Sequence, residues 1–225
     1  MARTQNPSDF LNYLASRHHN GDADRVPPLS ELSKELGLSV SVLREQLEAA
    51  QALGLVEARP RTGIRRLPYS FFPAASQSLA YALRLDPRHF LEFADLRKRL
   101  EASYWVEGVK SLQPQDHTEL RSLIQRAWEK LRGQPVRIPH EEHRKLHLCI
   151  YSRLGNPFVY GLLEAYWDAY ETVGLNVFAD YEYLSQVWSY HEEMVDAICA
   201  GDIQRGYQAL VAHAELIRQM PVPGT

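Results

Sequence analysis

The chain has 225 residues, 45% of them hydrophobic and 24% charged, with a formal net charge of −3. That length suits one or two folded domains, and the net charge argues against a generic coat for nucleic acid. No apolar run reaches the length of a membrane span, the opening MARTQNPSDF lacks a signal-peptide core, and Cys149 and Cys199 lie far apart in apolar helical patterns that suit buried free thiols, so a cytoplasmic setting is expected.

Residues 9–16 (DFLNYLAS) predict a short helix with Phe10, Leu11 and Leu14 on its apolar side, ended by His18-His19-Asn20-Gly21. Pro27 and Pro28 halt the chain, and Leu29, Leu32 and Leu36 mark one face of a helix over 29–36. Gly37 closes it, since glycine enters the left-handed conformation that ends a helix, and Ser39 follows as an N-cap. A third helix over 40–53 is expected to bury Leu43, Leu47, Ala50 and Leu53 and to turn Ser41, Arg44, Glu48 and Gln51 outward. Beyond Gly54, LVEA and IRRL read as two strands flanking Arg59-Pro60-Arg61-Thr62-Gly63, a hairpin crowded by Arg59, Arg61, Arg65 and Arg66. Clustered guanidinium groups beside a helix with a free N-terminus suit phosphate contact and groove insertion on DNA. Nine Lys and Arg against eight Asp and Glu make residues 1–70 +1, which leaves −4 for the rest. A near-neutral reading head on an acidic body binds DNA only where many contacts converge.

The winged unit takes residues 1–70. Residues 71–78 read as a linker with an aromatic anchor from Tyr69, Phe71 and Phe72, and residues 79–225 as a second, all-helical domain. Helices are predicted at 77–83, 87–111, 114–132, 139–154, 157–178, 181–200 and 203–219, with breaks at Asp86-Pro87, Gln113-Pro114, Gly133-Gln134-Pro135, Gly155-Asn156-Pro157 and Gly201-Asp202. No strand signal follows Leu67. The fold class is therefore mainly α: a winged helix-turn-helix followed by an antiparallel helical bundle.

Four of the nine histidines fall on inward faces of three of these helices. His143 and His147 are one turn apart and share a stripe with Ile150 and Leu154. His191 interrupts the stripe Leu184, Val187, Met194, Ile198, and His213 interrupts Ile203, Leu210, Ile217. One buried histidine is ordinarily a hydrogen-bonded core side chain. Four together are costly to desolvate unless something takes their lone pairs, and neutral nitrogen donors suit a divalent transition metal, Zn²⁺ or Ni²⁺ foremost, over Mg²⁺ or Ca²⁺. Metalloprotease chemistry is excluded, because HRKLH lacks the glutamate beside its first histidine.

The N-terminal unit resembles the winged helix-turn-helix of the GntR family of transcription regulators. The matching residues are Leu36-Gly37-Leu38-Ser39, Arg44-Glu45, Gly54-Leu55-Val56 and the wing glycine Gly63. The resemblance implies DNA contacts from Ser39, Ser41, Arg44, Arg59, Arg61, Thr62, Gly63 and Arg65. Val40 and Ser30 stand where family members usually and often carry arginine. The rest of the chain resembles the FCD helical domain of the FadR-type branch. Metal-binding members have an aspartate and a histidine four residues apart, then a histidine leading to alanine-isoleucine and an acidic turn, then a histidine in the last helix. His147, His191 with Ala197-Ile198 and Gly201-Asp202, and His213 match these positions, while His143 stands in place of the aspartate. An all-histidine site leaves more positive charge on the metal and favours a bound anion; alternatively His143 turns away and three histidines bind. Arg97 falls where the family has a pocket arginine, which implies pairing with a carboxylate effector; from its residues alone, LRKRLE reads equally as a charged surface face.

These features lead to the expectation of a homodimeric regulator, not an enzyme, that binds double-stranded operator DNA, a metal and a small organic acid, with no membrane involvement. The alternatives are a metal-dependent helical-bundle enzyme, or a metal sensor in which the ion is itself the effector.

Overall fold

The computed structural model describes residues 8–17, 24–173 and 180–216, and the chain divides into two compact units between Ala74 and Ala75. The first contains α1 (Asp9–Arg17), β1 (Arg25–Val26), α2 (Leu29–Leu36), α3 (Val40–Ala52), β2 (Val56–Arg59) and β3 (Gly63–Arg66). The strands form an antiparallel sheet in the order β1-β3-β2, with Val26 opposite Ile64 and Arg59 opposite Gly63. Phe10, Leu32, Leu43 and Ala50 are fully buried, with Leu14, Leu47, Val56 and Ile64 packed among them. Each fully buried Leu or Phe contributes about 1.5–3 kcal/mol, so this small core holds the helices against the sheet. Gly37 takes φ +69, which turns the chain from α2 into α3, and the amide of Phe10 donates to Gln46 Oε1 at 2.9 Å, tying α1 to α3.

Leu53, expected in the core, is 37% exposed, because α3 stops at Ala52 and Leu53 serves as its C-cap. The two-residue β1 was not anticipated. The proposed terminator His18 to Gly21 lies outside the described residues.

The remaining elements are α4 (Phe72–Leu85), α5 (His89–Ser111), α6 (Pro114–Arg132), α7 (His140–Tyr151), α8 (Pro157–Thr172), α9 (Tyr181–Ala200) and α10 (Ile203–Leu216). The stretch read as a linker is therefore helical from Phe72 onward, with Pro73 in the first turn, where a missing N–H breaks no helical bond. α5 starts at His89 rather than Pro87, because the Asp86 carboxylate accepts the Arg88 amide at 2.9 Å and holds a turn there. α7 ends at Tyr151, where the Ser152 hydroxyl donates to the Cys149 carbonyl at 2.8 Å. Residues 174–178 and 217–219, assigned to helices from the sequence, are outside the described residues, and Ile217 with them.

In this second unit α9 packs on α10 and α6, α6 on α7, and α5 on α7, α8 and α10. Trp105, Trp167, Trp188, Tyr151, Tyr166 and Phe90 fill its interior. Trp105 donates from its indole to the Ile203 carbonyl at 2.9 Å, fixing the start of α10 against α5. Cys149 and Cys199 are free, as expected, but half-buried. No helix among the described residues is long and apolar enough to cross a membrane.

Candidate metal centre and nucleic-acid interface

On the N-terminal unit, Ser39 caps α3 by accepting the Val42 amide at 3.2 Å, and Ser41 and Arg44 are exposed on the helix that follows. Among the described residues no ion pair engages Arg44, so Glu48 one turn on does not hold it. The hairpin between β2 and β3 carries Arg61 at φ +70 and Gly63 at φ +82. A left-handed arginine is uncommon, and here it sits exposed at the tip of the wing beside Thr62. Arg59 pairs with Glu57 at 2.9 Å and Arg65 lies 4.0 Å from Asp24, whereas Arg66 donates back to the Leu14 carbonyl at 3.5 Å. Arg44 and Arg61 are thus the most available cations of the predicted set. β1 adds a residue that the sequence reading missed: Arg25, exposed and opposite Arg65. No periodicity could have shown a strand of two residues.

The helical unit brings together all four predicted histidines. His143 and His147 come from α7, His191 from α9 and His213 from α10, and one ring nitrogen from each lies within 4.8 Å of the others. Ring centroids stand 4.2 Å apart for His191 and His213, 4.6 Å for His143 and His191, and 5.1 Å for His147 and His191. His147, His191 and His213 have no solvent exposure; His143 keeps some, though its Nε2 is buried. Trp167 and Trp188 wall the cluster.

Nε2 of His147 and Nε2 of His191 face each other at 3.0 Å. His143 Nε2, His191 Nδ1 and both nitrogens of His213 have no hydrogen-bond partner. A buried polar atom left unpaired costs about 1–3 kcal/mol, so several in one place call for a group that accepts lone pairs. Burial holds the pKa values of His143, His191 and His213 well below the usual imidazole value, and neighbouring cationic or imidazole groups push the same way. His147 is lowered by burial too, but Glu101 opposes the shift. Neutral imidazoles are the form that ligates metal. Tetrahedral nitrogen ligands at bonds of about 2.0–2.1 Å stand roughly 3.3 Å apart; the His147–His191 pair, at 3.0 Å, is near that separation, and all four nitrogens lie within 4.8 Å.

Behind this cluster lies an ion pair that the sequence did not reveal. Arg97 and Glu101, one turn apart on α5, are 2% and 1% exposed, with Arg97 Nε 2.9 Å from Glu101 Oε2. Arg97 Nη2 lies 2.9 Å from His147 Nδ1 and 3.1 Å from its Nε2, and its guanidinium stacks over Tyr166 at 4.9 Å. The other carboxylate oxygen, Glu101 Oε1, lies 3.1 Å from His147 Nδ1. Burial works against both charges, yet their mutual attraction raises the arginine and lowers the glutamate pKa. Arg97 is therefore no surface arginine. The clue lay in its phase, since Phe90, Arg97, Glu101, Trp105 and Gly108 recur on one buried face of α5.

Residues 92–216 match the FCD domain family. The chain belongs to the GntR family of transcription regulators, in its FadR-type branch with an FCD domain. This regulator is 23% identical over 202 residues to the "Putative L-lactate dehydrogenase operon regulatory protein" of Escherichia coli (strain K12), covering 86% of this chain and 76% of that protein. It is 24% identical over 198 residues to "HTH-type transcriptional regulator LutR" of Bacillus subtilis (strain 168), covering 84% and 88%. Among solved structures it is similar to Streptococcus agalactiae GntR, with a TM-score of 0.69 and 18% identity over 93% of this chain and 95% of that one. It also resembles E. coli McbR/YncC, with a TM-score of 0.51 and 19% identity over 92% and 95%. The GntR-type regulator is a DNA-binding protein and not an enzyme.

Proposed function

We propose that this GntR regulator binds a divalent transition metal through His143, His147, His191 and His213, and that a small organic acid joining the ion alters its affinity for operator DNA. The observation that carries this reading is the convergence of four ring nitrogens within 4.8 Å in a buried pocket where several lack any partner. The ion would act as a Lewis acid that takes a ligand oxygen. Four neutral imidazoles leave its charge uncompensated, which favours an anion as the remaining ligand, and the partly exposed His143 is the histidine best placed to yield a position. Zn²⁺ and Ni²⁺ suit nitrogen donors.

On the DNA side the reading assigns Arg44 to the groove, Ser39 and Ser41 to the helix start, and Arg59, Arg61, Thr62, Gly63 and Arg65 to the wing. One winged unit makes few contacts, so a homodimer reading two half-sites is the working assembly. The protein would act in the cytoplasm.

One observation favours a variant in which the ion alone is the signal: Arg97 is already paired with Glu101 and is not free to clamp an acid. The test is DNA affinity of the chelator-treated protein, measured on duplex selected from a random pool, before and after Zn²⁺ or Ni²⁺ and then with added carboxylates. The organic-acid reading expects a shift that needs both; a full shift with metal alone supports the sensor variant, and no shift with either overturns both.

A further inference from the structure

We infer that Glu101 is a positioning residue for the proposed metal centre, fixing the proton of His147 on Nδ1 so that Nε2 keeps its lone pair for the ion. The inference rests on the metal reading for its purpose but on α5 for its evidence. Glu101 is 1% exposed and lies outside the histidine set, and each of its oxygens has a different neighbour: Oε2 lies 2.9 Å from Arg97 Nε and Oε1 lies 3.1 Å from His147 Nδ1.

An ionised carboxylate only accepts hydrogen bonds. Arg97 beside it favours the ionised carboxylate, so the contact at Oε1 is favourable only if His147 Nδ1 carries a hydrogen; Arg97 Nη2, which can only donate and faces both ring nitrogens at 2.9 and 3.1 Å, then gives its hydrogen to Nε2 until an ion takes that lone pair. A neutral imidazole has one N–H, so His147 Nε2 must then bear the lone pair. That atom is the one 3.0 Å from His191 Nε2, inside the cluster. A carboxylate behind a ligating histidine is the arrangement that sets ring orientation and raises ligand basicity.

The second role of Glu101 follows from charge. A buried arginine beside four imidazoles would repel an incoming cation, and Glu101 cancels it. The backbone holds the carboxylate in place, since the Tyr151 hydroxyl, from the end of α7, donates to the Glu101 carbonyl at 3.0 Å and links the α5 turn to the helix that carries His147.

The deciding experiment is nitrogen NMR of the full chain labelled with ¹⁵N-histidine, stripped with chelator and then titrated with Zn²⁺ alone. Before metal, His147, assigned by its loss in His147→Gln, should show a protonated Nδ1 and an unprotonated Nε2; an Nε2–H tautomer would overturn the inference without any variant that must fold. With Zn²⁺, Glu101→Gln should bind 10- to 100-fold more weakly by chelator competition, a range typical of such outer partners. Glu101→Asp should recover part of the loss. Because Glu101→Gln strands Arg97, the double variant Arg97→Gln/Glu101→Gln is measured beside it and against Arg97→Gln. Unchanged affinity in a folded Glu101→Gln, or a double variant that binds as tightly as Arg97→Gln, would also overturn the inference. If the wild type takes up no Zn²⁺, the metal reading fails, and the tautomer of His147 still decides the Glu101 contact.

Discussion

Lowering the pH of the chelator-treated protein from 7 to 5.5 should remove a large part of the stability of the helical unit. His143, His191 and His213 have folded pKa values well below the usual range because burial disfavours the cation. The unfolded chain, with imidazoles near about 6.5, therefore takes up protons first as the pH falls. Stability is full above that value and is lost below it. An imidazole that stays neutral when folded loses about 1.2 kcal/mol between pH 7 and 5.5, so three give about 4 kcal/mol, against a total of roughly 5–15 for a typical domain. His147 adds a smaller share, since Glu101 opposes its shift. Carboxylates such as Asp116, whose pKa Arg153 lowers, titrate below this window. Urea unfolding followed by tryptophan fluorescence isolates the unit, because all four tryptophans, Trp105, Trp128, Trp167 and Trp188, lie in it. A midpoint unchanged between pH 7 and 5.5 would mean that the imidazoles are not buried neutral, and would refute the reasoning.

Arg44→Ala should weaken binding to selected duplex by about 1–3 kcal/mol and relax its sequence preference, while Arg61→Ala should lower affinity across sequences and reduce the salt slope by about one. Gel-shift titrations over a salt series check both; equal affinities would remove these contacts. Arg97→Ala should destabilise the helical unit by about 3–5 kcal/mol, as it leaves Glu101 buried and alone. In the Zn²⁺-loaded wild type, di- or hydroxycarboxylates should raise the thermal midpoint by mass action and neutral sugars should not. Ser39→Ala, which removes the cap on α3, should cost about 1 kcal/mol in urea unfolding of the N-terminal unit.

The winged unit was legible because its turns are made by residues with few alternatives, Gly37 and Ser39 at one corner and Gly63 at the other, set in an amphipathic frame. α6 and α9 were legible to the residue, since Gln113-Pro114, Asp180 and Gly201 mark their ends chemically. The start of α4 is hidden in the sequence because Phe71, Phe72 and Pro73 suit an anchored linker as well as a first turn, where a proline starts a helix as readily as it ends one. β1 was missed because two residues carry no period and exist only through pairing with β3. The histidines were readable from spacing, each replacing an apolar residue on an inward face. Glu101 was not, because Arg97-Lys98-Arg99 and Glu101 together look like a solvated helix face, and only the burial of α5 against α7 and α8 separates the inward pair from the outward one.

The measurement that tests the central claim most directly is the metal content of the full chain purified without chelator, by elemental analysis, with Zn²⁺ and Ni²⁺ titrations of the stripped protein. The account predicts one transition-metal ion per chain, a higher thermal midpoint on adding either ion, and a greater loss of metal in His147→Ala or His191→Ala than in His143→Ala. No transition metal in the purified protein, together with no gain in stability from either ion, would contradict it and leave the four histidines as core side chains.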